Sequence, residues 1–127
     1  MKINIKATGI ELTPAISEYA KKKISSLEKY LDKSIRDDLV AQVEVGKSTK
    51  HHRAGNVFRA EVHITRGGLD LYAVSEEADL YAAVDMVRDE IMHSLVQSKN
   101  KRLTLARRGA EAIKNLIKGL TSFKKRQ

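Results

Sequence analysis

The chain has 127 residues, with 24 basic and 16 acidic side chains and a net charge of +8. That length suits one domain, which buries roughly two-thirds of its unfolded surface and needs no covalent staples. The lack of cysteine excludes disulfides and thiolate metal sites, and no apolar run approaches the roughly 18 residues that would span a membrane.

Residues Lys2 to Thr8 alternate, with Ile3, Ile5 and Ala7 on one side, which predicts a strand with one buried face. This alternating start has no apolar centre of the kind a secretion signal needs, so a cytoplasmic location is expected. Thr13-Pro14 opens a helix: the threonine caps free N–H groups, and proline stands where a missing N–H costs nothing. Ile16, Ala20, Ile24, Leu27 and Leu31 form its apolar stripe, with Tyr19, Lys23, Ser26 and Tyr30 along one border. At ~100° per residue, Lys22, Lys29 and Lys33 lie opposite the stripe, flanked by Lys21 and Ser25. Alternation returns over Leu39 to Gly46, with Leu39, Ala41, Val43 and Val45 inward. A polar loop from Lys47 to Asn56 follows. Val57 to Arg66 then places Phe58, Ala60, Val62 and Ile64 on one face. Gly67-Gly68 predicts a two-residue hairpin turn, and Leu69 to Val74 is the return strand. A second helix is expected from about Glu76 into the Lys99 region, with Leu80, Val84, Val87, Ile91 and Leu95 as its stripe. Its acidic start and basic end suit the helix dipole. Arg107-Arg108-Gly109 interrupts the pattern, a short helix is expected over 110–118, and the last residues from Thr121 read as disordered.

The order is β-α-β-β-β-α. Strands apolar on one face need cover on that face alone, and two helices supply it. The expected fold is therefore an α+β two-layer sandwich, a four-stranded sheet with both helices on one face. Residues 1–102 would form the domain and 103–127 a basic C-terminal extension.

Nothing points to catalysis. His51 and His52 are neighbours in a loop, and His63 and His93 stand apart, so no zinc-ligand spacing arises. Gly46-Lys47-Ser48 resembles the end of a phosphate-binding loop, but Ala41 stands where that motif needs its first glycine, inside a strand. The carboxylates Glu76, Glu77, Asp79, Asp85, Asp89 and Glu90 read mostly as a solvated helix start and face. No enzyme activity, metal, cofactor or small-molecule substrate is expected.

The charge distribution is more informative. From Lys99 to Gln127 there are 10 basic residues and one acidic, a net of +9, leaving 14 basic and 15 acidic, a net of −1, elsewhere. A near-neutral body with a basic end suits a polyanionic partner, nucleic acid or an anionic membrane. Three basic groups stand out: Lys21, Lys22, Lys29 and Lys33 on the first helix; Lys47, Lys50 and Arg53 in the loop; and Lys99, Lys101, Arg102, Arg107 and Arg108 at the end of the second helix and beyond. Engaging roughly six to eight phosphates would make binding steeply salt-dependent. Aromatic residues are too few for a base-stacking sheet, so RNA shape and backbone would be recognised rather than unstacked bases.

Ser75-Glu76-Glu77-Ala78-Asp79-Leu80-Tyr81-Ala82-Ala83-Val84-Asp85 is similar to the stretch opening the second helix in the ribosome hibernation-promoting factors, also called ribosome-associated inhibitors or ribosomal subunit interface proteins. Ile10-Glu11-Leu12-Thr13-Pro14-Ala15-Ile16 and Leu27-Glu28-Lys29-Tyr30-Leu31 add to the resemblance, which covers roughly residues 1 to 102. It implies a double-stranded-RNA-binding-like fold, and binding to small-subunit ribosomal RNA between the subunits, where messenger and transfer RNA would otherwise sit. By this likeness Lys22, Lys23 and Lys29 are the leading contacts, and Lys99, Lys101 and Arg102 match the basic end of the second helix. Lys21, Lys33, Arg107 and Arg108 complete the expected RNA-binding set. Tyr81 is expected to pack against the fold, and Asp79 and Asp85 either to orient lysines or to face solvent. The chain departs from many members at Glu90, His93 and Gln97, where they carry Lys or Arg. It resembles the short form of the family, without a second dimerising domain. A generic double-stranded-RNA binder and a self-association module are the competing readings, and the sequence leaves the oligomeric state open.

Overall fold

The computed structural model describes residues 1–48 and 57–99, together with residues 108, 109 and 114. Four strands, β1 (Lys2–Thr8), β2 (Val40–Lys47), β3 (Phe58–Arg66) and β4 (Leu69–Glu77), lie in the order β1-β2-β3-β4. β1 and β2 are parallel, and the other neighbours are antiparallel. Parallel pairing needs a crossover between the strands. Helix α1 (Pro14–Ser25) supplies it, and helix α2, described over residues 80–99, follows β4. This is the expected β-α-β-β-β-α order.

The core lies on one face of the sheet. Ala41, Val43, Val45, Ala60, Val62, Ile64 and Ala73 project from the strands against Ala20, Ile24 and Leu27 of the first helical region and Leu80, Val84, Val87, Ile91 and Leu95 of α2. Both apolar stripes thus face the core as their spacing predicts, with Ile16 only partly buried. Met1–Leu95 forms one compact unit, and the chain from Val96 onward groups separately. At the hairpin, Gly67 and Gly68 adopt φ of +59° and +79°, the mirror-image turn that matches strand twist.

Three expectations need correction. The first helix does not run to Leu31 as an α-helix: it ends at Ser25 and tightens into a 3₁₀ turn over Ser26–Tyr30. The Ser25 and Ser26 hydroxyls donate to the carbonyls of Lys22 and Lys23, and such back-bonding competes with α-helical bonding. The second concerns Lys29 and Lys33, expected on the face of the first helix opposite its stripe: Lys29 sits in the 3₁₀ turn. Lys33 lies beyond it, in a turn where Asp32 accepts from the Ser34 and Ile35 amides.

The third correction concerns the acidic stretch. β4 continues through Glu77, and α2 starts at residue 80. Glu76 and Glu77 stand opposite Arg59 and Phe58 in the sheet, so they do not load the helix dipole. Asp79 opens the helix instead. Its carboxylate accepts from the Tyr81 and Ala82 amides and its carbonyl from Ala83, as an N-cap does. Gly46 lies in a strand, in line with the rejection of a phosphate loop there. It is a β2 residue paired with Thr8, and a Cβ there would stand 2.2 Å from the Thr8 carbonyl oxygen.

Candidate nucleic-acid interface

The borders of the two apolar stripes meet and form a seam. On α1 and its 3₁₀ extension the border is Tyr19, Lys23, Ser26 and Tyr30; on α2 it is Tyr81, Asp85, Arg88 and Met92. Both follow the four-three-four spacing that keeps residues on one helical flank. Tyr19 packs edge-on against Tyr81, with ring centroids 4.8 Å apart. The Tyr19 hydroxyl donates to Asp85 Oδ1 at 2.6 Å, and Lys23 Nζ stands 3.4 Å from the same oxygen. Further along, Arg88 Nε donates to Ser26 Oγ at 3.0 Å, and its guanidinium lies 5.9 Å from the Tyr30 ring centre. Lys29 Nζ lies 5.2 Å from the same ring centre. Residue numbers rise together along both sides, so the helices run in the same direction here.

The seam divides the basic residues into two kinds. Lys23 is half-buried, ion-paired to Asp85 and 5.6 Å from the centre of the Tyr19 ring. Arg88 is paired with Asp89 at 3.1 Å, and its side chain is only 16% exposed. Lys21, Lys22, Lys29 and Lys33 are exposed and make no ion pair with any described residue. They can be neutralised by a phosphate without first giving up an internal partner. Asp85 orients a lysine, one of the two roles anticipated for it, and Tyr81 packs on Tyr19 while remaining partly exposed.

Electrostatics at the seam follow from this packing. The Tyr19 hydroxyl is pushed up to about 12, chiefly because its proton is shared with Asp85, with burial and the nearby carboxylates adding to the effect. Tyr19 thus remains a neutral donor wherever RNA binding is measured.

The opposite face of the sheet has another character. Arg59 and Tyr72 both donate to Glu61 Oε2, at 2.6 and 2.8 Å, and His63 Nε2 is 2.6 Å from Asp70. The Tyr72 bond is the largest cause of a lowered Glu61 pKa, opposed by burial and aided by Arg59. Glu44 stands directly across from Glu61. Fixed carboxylates make this face a poor match for phosphates, so the helical side is the candidate surface.

Of the residues expected to bind RNA, Lys21, Lys22 and Lys29 come together on α1 and its extension, and Lys33 follows in the next turn. Lys23 is turned into the seam. Lys99 is exposed in α2, and Arg108 is helical and exposed. Lys101, Arg102 and Arg107 lie outside the described residues, as do the loop residues Lys50, His51, His52 and Arg53. Lys47 is exposed at the end of β2. Of the helix expected over 110–118, only Lys114 is described, as helical and exposed; Arg108 and Gly109, expected to interrupt the pattern before it, are helical as well. Arg88 was missed by the sequence reading, although its place beside Val87 and Ile91 marks it as a stripe-border residue.

Comparison with known proteins gives concordant results. The family model described as Sigma 54 modulation protein / S30EA ribosomal protein matches residues 3–103. A ribosome hibernation promoting factor from Escherichia coli is 30% identical over 101 residues, covering 80% of this chain and 96% of its own. The N-terminal domain of Thermus thermophilus Protein Y superposes with a TM-score of 0.61 at 31% identity, over 75% of this chain and 96% of its own. A ribosomal subunit interface protein from Coxiella burnetii reaches a TM-score of 0.61 at 20% identity, over 79% of this chain and 99% of its own, and speaks for the fold alone.

Proposed function

Because the chain belongs to the Sigma 54 modulation protein / S30EA ribosomal protein family, we propose that it is a ribosome hibernation factor that occupies the decoding region of the small subunit. Its action is binding rather than catalysis, in keeping with a family of non-enzymatic ribosome-binding factors. In this reading it sits between the subunits against small-subunit ribosomal RNA in the cytoplasm. Occupancy excludes messenger RNA and transfer RNA and keeps idle ribosomes inactive and intact.

The observation that carries the reading is the match through residues 3–103, which spans both helices and the unpaired lysines of α1. Lys21, Lys22 and Lys29 would contact RNA phosphates directly, with Lys33 beside them. Lys99, Lys101, Arg102, Arg107 and Arg108 would add the basic end of the body (1–102) and of the extension (103–127). Neutralising phosphates releases counterions, so affinity should fall steeply with salt. Recognition through backbone and shape suits a surface whose cations lie on a helix rather than on an aromatic sheet.

Co-sedimentation with ribosomes at low and near-physiological salt, with and without bound transfer RNA, tests this function. Stoichiometric binding that transfer RNA displaces is the expected result. Binding indifferent to transfer RNA would move the site elsewhere on the ribosome. Equal affinity for any long RNA duplex would favour a generic double-stranded-RNA-binding module.

A further inference from the structure

Asp85 treats its two partners unequally. The Tyr19 hydroxyl donates to it at 2.6 Å, a short charge-assisted bond. Lys23 Nζ stands at 3.4 Å, beyond the roughly 2.7–2.9 Å of a well-formed ammonium–carboxylate bond. The Lys23 side chain is 39% exposed and that of Asp85 42% exposed. The ammonium also lies 5.6 Å from the centre of the Tyr19 ring. Tyr19 is therefore anchored, while Lys23 is held loosely, by an exposed charge and a ring face. Exposed pairs of this kind are weak. A phosphate oxygen can meet the same ammonium at shorter range.

We propose that Asp85 is a positioning residue that stores Lys23 in the free protein and yields it to an RNA phosphate on binding, so that its carboxylate limits affinity. The inference rests on the RNA-binding reading above. It reconciles an expectation with an observation: the family likeness implies that Lys23 contacts RNA, and the structure gives it an internal partner, Asp85. Lys22, the preceding residue, is exposed and has no such competitor among the described residues. The Tyr19–Asp85 bond does not break in the exchange, so the helix seam stays closed while one cation changes partner.

The test is a double-mutant cycle on ribosome binding at near-physiological salt. Asp85→Asn deletes the charge but keeps an oxygen that accepts from Tyr19. It should tighten binding about two- to five-fold, the range of a weak surface pair. Lys23→Gln leaves the Tyr19–Asp85 hydrogen bond in place and should lower the slope of log affinity against log salt by about one. The double variant should bind like Lys23→Gln. The proposal is overturned if Lys23→Gln binds as wild type does, if Asp85→Asn gives no gain, or if its gain survives in the Lys23→Gln background. That last result would mean that the carboxylate repels RNA directly, without Lys23. Urea midpoints of all four proteins separate binding effects from folding. Should the wild-type protein fail to bind ribosomes, the hibernation reading falls, and the same cycle on a defined RNA duplex decides the role of Asp85 by the same outcomes.

Discussion

Replacing Gly46 by alanine should strongly destabilise the fold, against the ordinary expectation for that change. A glycine within a strand is usually a liability: it loses more freedom on folding, and alanine gains up to about 1 kcal/mol where the backbone permits. Gly46 lies opposite Thr8 in the parallel β1–β2 ladder. An added Cβ would stand 2.2 Å from the Thr8 carbonyl oxygen and 3.2 Å from its carbon. Both atoms are backbone, so no side chain can turn aside. Reaching even 3.0 Å requires the strands to part by roughly 0.8 Å, at the end of β1 where the chain turns into Gly9. Overpacking of this kind costs about 1–3 kcal/mol, and weakening one or two ladder bonds adds about 1 kcal/mol each. Set against the entropic gain, the net is a loss of about 3 kcal/mol. Urea unfolding followed by circular dichroism measures it. With a slope of about 1–3 kcal/mol per molar, the midpoint should fall by more than about 1 M. A midpoint equal to or above that of wild type would refute the argument and show that β1 can move away from β2 at no cost.

Other predictions follow from the same geometry. Leu80→Ala and Ile91→Ala, both buried, should each cost about 2–5 kcal/mol through cavity formation; full stability in urea would assign the wrong face of α2 to the core. The double reversal Lys22→Glu with Lys29→Glu should leave the urea midpoint nearly unchanged, because exposed substitutions cost about 0.5 kcal/mol or less, while sharply weakening ribosome co-sedimentation. A folded double variant with unchanged binding would remove α1 from the contact surface. Tyr19 titrates in the folded protein at about 12 rather than 10. A raised folded pKa stabilises fully below the unfolded value and is lost as pH rises through the folded one. Stability should therefore decline between pH 10 and 12, and less steeply in Tyr19→Phe; indistinguishable profiles would mean that the Asp85 bond adds nothing.

The sheet was legible because its signals are local. Alternation set the inward faces, and Gly67-Gly68 set the turn and with it the β3–β4 register. The two apolar stripes were equally plain. The boundaries were less so, for reasons visible in single residues. Ser25 and Ser26 look like ordinary exposed helix residues, and only their bonds to the Lys22 and Lys23 carbonyls show why the α-helix tightens there. Glu76 and Glu77 look like a helix start, and only the strand opposite them, with Arg59 facing Glu76, keeps them in the sheet. For the surface, helical spacing gave the border residues of α1 correctly. It could not say which border of α2 they would face, because that depends on the direction and packing of the helices over the sheet. Lys23 was accordingly placed on the border without its partner being fixed, and Arg88 passed unnoticed.

Arg88 gives the sharpest separation between the structural and the binding roles of these cations. Its guanidinium reaches Ser26, Asp89, the Met92 sulfur and the Tyr30 ring, and its side chain is 16% exposed. Arg88→Met keeps the aliphatic bulk and removes every one of these polar contacts. The lost hydrogen bonds and cation–π contact amount to about 1–2 kcal/mol at a partly exposed site, so the urea midpoint should fall. Ribosome affinity at fixed salt should change little, and its salt slope not at all, since a guanidinium already neutralised within the seam releases no counterion from RNA. Lys22→Ala should do the reverse, lowering the slope by about one with little effect on stability. If Arg88→Met lowers the slope by a full unit as well, the guanidinium leaves the seam to meet a phosphate. Arg88 would then change partner on binding as proposed for Lys23, and no seam cation would be purely structural.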